Sequence, residues 1–285
     1  MIAAVTSKRG GTGSTTIAVL SSICLNKSFK KKVCLVDLQY NSDIYKILGV
    51  KRNQGIDGLI TSLGFDNKDV KLEEHITNYD GLDVIQGTRV TLSTYLYKRS
   101  HNIKLLLDRL EDLYDVVILD MPDGELYEEL TENGARIFPL NVMEQNMLVV
   151  LEYQEEMRNG VIPGLVIVNK LDNTIFPEKN LFEKNFLKKS LYFLPYSDKV
   201  KNLLNLHTSG NAGKGIKIKN ISTTGFYNGI NEISKTLNQE INFEKSKKIN
   251  ETLDDELGDI ILDKPVVVKK KKKNSIFSFL KKGGK

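Results

Sequence analysis

Residues 7–16 read Ser-Lys-Arg-Gly-Gly-Thr-Gly-Ser-Thr-Thr. Gly10, Gly11 and Gly13 let successive backbone N–H groups turn inward around an anion. A helix starting near Ser14 adds the positive end of its dipole. The chemistry this points to is phosphate binding. The general pattern G-x-x-x-x-G-K-[ST] would put its first Gly at position 8 and its Lys at position 14. This chain has Lys8 and Ser14 there. Thr15 stands where a Mg²⁺-ligating hydroxyl belongs. The absent lysine normally reaches the β- and γ-phosphates, and a hydrogen bond to a charged group contributes roughly 1.5–3 kcal/mol. Its loss weakens binding without excluding it, and Lys8 and Arg9 are adjacent cations that could partly compensate. The competing reading is a tight glycine turn with no ligand.

Two carboxylates follow apolar runs. Asp37 closes Val-Cys-Leu-Val-Asp, and Asp120 follows Asp-Val-Val-Ile-Leu. A buried strand ending in one acid, at the right distance after a glycine loop, suits a Mg²⁺ site beside phosphates. For Asp37 the alternative is a strand-end carboxylate that caps a turn. Gln39, two residues on, can orient a water but cannot accept its proton as a carboxylate can. His75, His101 and His207 are scattered, with no metal-ligand spacing.

These side chains need elements to hold them. Short apolar runs alternate with amphipathic stretches, which predicts a mostly parallel sheet wound by helices. Strands are expected over 2–6, 33–37, 83–86, 115–119, 136–141, 164–169 and 191–194. Helices are expected over 14–26, 42–48, 56–63, 101–112, 144–157 and 225–240. The run 102–112 carries apolar residues at 103, 105, 106, 107 and 110, a helix face ahead of a buried strand.

Five segments in order resemble the ParA/MinD group of deviant P-loop ATPases. The glycine loop is similar to that group's Lys-Gly-Gly-x-Gly-Lys-[ST]-[ST]. Arg9 falls on the signature lysine, which in the family reaches across a nucleotide-sandwich dimer, and Ser14 falls on the loop lysine. Arginine keeps charge and reach with another geometry. Val-Asp-Leu-Gln, 36–39, resembles the family's Asp-x-Asp-Pro-Gln, with Gln39 replacing the acid that positions or activates water. Tyr114–Gly124 resembles its Walker B strand, ending Asp-Met-Pro-Asp-Gly. Val166-Ile167-Val168-Asn169-Lys170 is similar to the strand whose Asn reads adenine. Leu194-Pro195-Tyr196-Ser197-Asp198 is similar to the turn that lies against the base. The resemblance covers about residues 1–242.

The resemblance implies a single P-loop NTPase-like α/β domain, a mostly parallel twisted sheet with helices on both faces. It implies ATP and Mg²⁺ as cofactors. Arg9, Gly10, Gly11, Thr12, Gly13, Ser14, Thr15, Thr16, Asn169 and Pro195 would hold the nucleotide, and Thr15, Asp120 and Asp37 the metal. The loop is also similar to the TadZ/CpaE branch, which places pilus-assembly machinery and often has a degenerate loop. The substitutions fall on hydrolysis positions and spare binding positions.

The net charge of +5 conceals an asymmetry. Residues 264–285 carry nine lysines and no acid, so taking those nine positives from +5 leaves −4 for residues 1–263. A mildly acidic body carries a tail that seeks an anionic surface. Its order is Lys269, Lys270, Lys271, Lys272 and Lys273, then Ile276, Phe277, Phe279 and Leu280. In a helix the four apolar residues share one face. Each lysine near an anionic leaflet contributes ~1 kcal/mol, and the phenylalanines favour a membrane over a purely electrostatic grip on DNA. The tail also resembles the membrane-targeting helix of MinD. Three parts are expected: a nucleotide-binding domain over 1–242, a disordered acidic linker over 243–263, and the basic amphipathic tail as a short helix over 264–285.

The two cysteines suit a reducing compartment. The apolar strand expected at residues 2–6 leads to the expectation of no signal peptide, and no apolar run approaches the ~18 residues of a membrane span. The expectation is a cytoplasmic protein peripheral to the inner face of the membrane. It would be an ATP-binding, homodimeric positioning or scaffold protein with weak or absent hydrolysis, recruiting a protein assembly. The alternatives are a plasmid or chromosome partition ATPase that binds DNA, and an interaction module with a dead site.

Overall fold

A computed structural model describes residues 1–40, 44–63, 71–89, 96, 98–122, 124–158, 164–208 and 216–260. The residues expected to meet a membrane, Lys269–Lys273, Ile276, Phe277, Phe279 and Leu280, lie outside the described residues. The described chain holds eight strands in one sheet of order β3-β4-β2-β5-β1-β6-β7-β8. They are β1 (Ile2–Thr6), β2 (Val33–Asp37), β3 (Ile76–Tyr79), β4 (Leu82–Ile85), β5 (Val116–Asp120), β6 (Ile137–Glu144), β7 (Leu165–Leu171) and β8 (Leu191–Pro195). Every pairing is parallel except that of β3 with β4.

The three central strands β1, β2 and β5 are buried at every position. Strands covered on both faces read as continuous apolar runs, which is why these three are the plainest in the sequence. Alternation still sorts their side chains. Ala3, Val5, Leu35 and Ile118 enter one core, with α1 (Ser14–Phe29) and Ile230, Ile233 and Leu237 of α9 (Gly225–Ile260). Ile2, Ala4, Cys34, Val36, Val117 and Leu119 enter the other, with α3 (Gly55–Leu63), α4 (Ser100–Leu113) and α5 (Gly124–Glu132). A third cluster seats α6 (Met147–Arg158) and α7 (Lys179–Asn185) on β7. There Tyr153 meets Phe186 edge-on at 6.3 Å, and Phe182 meets Phe193 at 6.2 Å. The remaining helices are α2 (Ile44–Leu48) and α8 (Asp198–Thr208).

The single α/β domain with helices on both faces is therefore present. The structure departs from the expected elements in four ways. The hairpin strand β3 was not foreseen, since Ile-Thr-Asn-Tyr carries little apolar signal. Its turn is at Asp80 and Gly81, which both have positive φ, 50° and 86°, as a two-residue hairpin turn demands. Second, β6 runs to Glu144, so α6 starts at Met147 instead of 144. Third, α5, α7 and α8 fill stretches that gave no element, each short and partly polar on the outside. Fourth, α9 does not stop near 240 but continues to Ile260, so much of the expected disordered linker is helical. That stretch alternates acids, lysines and aliphatics and meets no proline before Pro265, so nothing local ends the helix.

Residues Met1–Phe243 form one compact unit, and Glu244–Lys285 a second. Within the first, β1 lies between β5 and β6. The chain winds outward from β1 in one direction and later crosses to the other side. In open α/β sheets this reversal leaves a crevice beyond the carboxyl ends of the strands. The glycine loop follows β1 there.

Candidate functional site

The glycine loop joins β1 to α1. Gly11 and Gly13 have φ of +80° and +92°, a region costly to residues with a side chain. Gly13 is doubly constrained, since a Cβ there would lie 2.5 Å from the Asn169 side-chain nitrogen. Nothing within 4 Å would meet a Cβ on Gly10 or Gly11, so the loop is open on that side. Gly13 caps α1 without a side-chain hydrogen bond, and the first turn of the helix carries no acid. Its N–H groups and dipole are directed at the crevice without a built-in anion.

The two carboxylates stand side by side. Asp37 and Asp120 are register partners at the ends of β2 and β5, both fully buried. Asp37 Oδ1 accepts the Gln39 N–H at 2.9 Å. Burial, then the neighbouring Asp120, pushes the Asp37 carboxyl well above its ordinary range. Burial likewise pushes Asp120 up, against hydrogen bonds from Thr15 and Gln39. Asp120 Oδ2 is buried with no hydrogen-bond partner, as is Thr12 Oγ1. A crowded pair of carboxylates with one orphaned oxygen, joined to the Thr15 hydroxyl, fits a divalent cation.

Gln39 is turned into this pair. Its amide nitrogen donates to Asp120 Oδ1 at 3.2 Å and to the Met121 carbonyl at 2.6 Å. A residue there with a carboxylate would repel Asp120, whereas the amide adds a neutral donor. Ser14, in place of the loop lysine, is buried at the start of α1.

The other loop cations are engaged elsewhere. Lys8 forms an ion pair with Glu156 and stands 4.6 Å from the centroid of the Tyr153 ring. Arg9 pairs with Glu152 at 2.9 Å. Both acids belong to α6, so the compensation expected from Lys8 and Arg9 is not seen in this arrangement: α6 neutralises both.

Asn169, two residues before the end of β7, is 4% exposed. Its amide nitrogen donates to the Thr12 carbonyl at 2.7 Å, and its Oδ1 accepts the Lys170 N–H at 2.9 Å. It therefore holds the loop as well as facing a cavity of about 260 Å³. That cavity is walled by Gly13, Thr16, Asn169, Lys170, Pro195, Tyr196, Val200 and Phe226. One polar end and an apolar remainder suit a flat heterocycle.

The structure thus gathers Arg9–Thr16, Asn169, Pro195, Asp37 and Asp120 at one end of the sheet. It adds residues that sequence reasoning passed over. Lys170 is one: it sits beside Asn169 in the same short motif, and that adjacency was the signal. Glu144, Glu152 and Glu156 are others, with no local pattern to reveal them.

Residues 1–134 match a family model described as an AAA domain. The virulence plasmid ParA family protein pGP5-D of Chlamydia psittaci is 29% identical over 119 residues, 40% of this chain and 45% of that protein. The sporulation initiation inhibitor protein Soj of Bacillus subtilis is 28% identical over 126 residues, 42% of this chain and 49% of that protein. The chain spans about half the length of the curated relatives it matches. Among solved structures, the septum site-determining protein MinD of Pyrococcus horikoshii, complexed with Mg-ADP, superposes with a TM-score of 0.61 at 18% identity. It covers 83% of this chain and 95% of that one. The chain has the fold of the ParA/MinD-type P-loop ATPases. A plasmid partition protein of Borrelia burgdorferi, bound to AMPPNP, matches this ParA/MinD-type fold equally, with a TM-score of 0.61, 17% identity and coverage of 86% and 98%. Among the described residues, no helix of this chain is long and apolar enough to cross a membrane.

Proposed function

We propose that this protein binds ATP with Mg²⁺ at the glycine loop and hydrolyses it weakly or not at all. It would act as a ParA/MinD-like positioning or scaffold protein tethered at the inner membrane face. The observation that carries the reading is a split at the site. The binding features are intact: Gly11 and Gly13 keep their positive φ, and Thr15 joins Asp120. The hydrolytic ones are replaced: Ser14 is buried in the helix start, and the Gln39 amide is spent on Asp120 and Met121.

The loop N–H groups and the start of α1 would receive the phosphates, with Thr15, Asp120 and Asp37 holding Mg²⁺ and Asn169 and Pro195 flanking the adenine. Bound Mg²⁺ supplies positive charge against the phosphates. Gln39 donates hydrogen bonds to Asp120 and Met121 where the family carries a carboxylate, so this side chain takes no proton from water. In a homodimer Arg9 would exchange Glu152 for the partner's nucleotide. The relatives that bind Mg-ADP and AMPPNP support the nucleotide. The degenerate loop supports the TadZ/CpaE-like reading, with a pilus- or secretion-type assembly as the recruited partner. The proposed parts are a nucleotide domain over 1–242, a linker over 243–263 and a membrane-seeking tail over 264–285.

Equilibrium binding on the full chain tests the first half: micromolar to sub-millimolar ATP affinity is expected, and no binding at millimolar ATP or ADP sinks it. Sedimentation with anionic vesicles, with and without residues 264–285, tests the tail, and equal pelleting of both forms refutes it.

A second reading is a partition ATPase. It is favoured by the partition protein among the structural matches, and lysines of the tail would then bind DNA phosphates. It requires turnover and salt-sensitive DNA binding. Hydrolysis by the natural chain as fast as by Ser14→Lys would select it.

A further inference from the structure

The loop lacks its lysine, and α6 occupies Lys8 and Arg9. A cation nevertheless sits on the loop. Lys170 follows Asn169 within β7, where the register with β8 shifts between Val168 and Leu171, and has φ of +56°, a left-handed backbone uncommon for a residue with a long side chain. Its ammonium donates to the Gly11 carbonyl at 2.6 Å and to Glu144 Oε1 at 2.5 Å. Two of its three N–H groups are thereby used. Lys170 also lines the cavity shared with Gly13, Thr16 and Asn169. The other lysine on that wall, Lys201, stands 5.8 Å from the Tyr196 ring centroid.

We propose that Lys170 is the cation serving this phosphate loop, in place of the lysine absent at position 14. The inference rests on the nucleotide-binding reading. Lys170 acts in two ways. It braces the Gly11 carbonyl, which holds the N–H groups of the Gly11–Gly13 turn facing the anion. Its charge is shared with Glu144, as those of Lys8 and Arg9 are shared with α6, but the Lys170 ammonium also bonds the loop backbone, so a polyphosphate that displaces Glu144 meets it there. Glu144 accepts the second hydrogen bond of the ammonium and so fixes where it lies. The strained backbone is consistent with a side chain held for a purpose, since such conformations persist only where surrounding contacts enforce them.

The test is isothermal titration of the full chain with adenosine, AMP, ADP and ATP, comparing the natural protein with Lys170→Asn and Lys170→Arg. Asn tolerates the left-handed backbone, so Lys170→Asn removes the cation without adding strain there. Matching melting curves establish that both variants fold. The expected result is a loss of at least about tenfold in ADP and ATP affinity for Lys170→Asn, the size of one charged hydrogen bond. Adenosine binding changes little, and Lys170→Arg recovers most of the loss. Added salt shrinks the gap, because the missing term is a charge. Equal ATP affinity for Lys170→Asn and the natural chain overturns the inference and leaves the nucleotide reading standing. So does an equal loss for adenosine and ATP, which would make Lys170 a base-side residue only. A natural chain that binds none of the four ligands overturns both readings.

Discussion

Gly13 shows how one residue type can be required twice. Its φ of +92° excludes ordinary side chains, and the Asn169 amide stands where a Cβ would go. Gly13→Ala is therefore expected to cost about 1–2 kcal/mol for the backbone alone and to push Asn169 off the Thr12 carbonyl. A lowered melting midpoint together with lost ATP binding checks it. Asp120 carries a pH prediction. Its pKa is pushed from an ordinary 3.8 up to about 7 by burial. Between those values the folded metal-free protein holds a proton that the unfolded chain has released. Stability from this group is full below the lower value and is lost as pH rises through the upper one. Asn cannot ionise, so Asp120→Asn should melt above the natural protein at pH 8 in EDTA. The advantage should vanish toward pH 4. A constant difference across that range would contradict the assignment.

At the scale of elements, α6 acts as the acidic counterpart of the glycine loop. Its Glu152 and Glu156 hold Arg9 and Lys8, but these are partly exposed pairs, with side chains 29–43% accessible. Exposed pairs contribute little. Replacing both acids by Gln should change the unfolding free energy by less than about 1 kcal/mol in denaturant titration. What holds α6 and α7 is the aromatic cluster on β7. Phe182 is fully buried there, and Phe182→Ala should cost about 3–5 kcal/mol. If that variant unfolds at the natural denaturant midpoint, the third core is not part of the cooperative unit. The glycine loop and its flanking elements were legible because β1, β2 and β5 are buried on both faces and α1 is buried nearly all round. The helices α5, α7 and α8 were not, because each gains its stability from a face it shares with neighbours distant in sequence.

The whole molecule divides its charge between an acidic body and a basic end. Met1–Phe243 contains all three apolar cores. Removing residues 264–285 should leave its melting curve unchanged, while the net charge goes from +5 to −4. Retention on a cation exchanger should then disappear. A truncated chain that melts earlier would show that the tail contributes to the body's stability.

The sequence by itself determined the loop, the strands that bracket it, and the replacements at positions 14 and 39. Those depend on local backbone needs and on continuous apolar runs, which a linear string displays. Tertiary structure alone decided where the cations went. Lys8 and Arg9 looked available next to the glycines, yet the packing of α6 neutralises them with acids more than 140 residues away in the chain. Lys170 looked like a strand-end residue, yet the parallel register of β6 with β7, and of β6 with β1, carries it onto the Gly11 carbonyl. Charge acts through space over a few ångströms, and only the folded chain determines which residues lie that close.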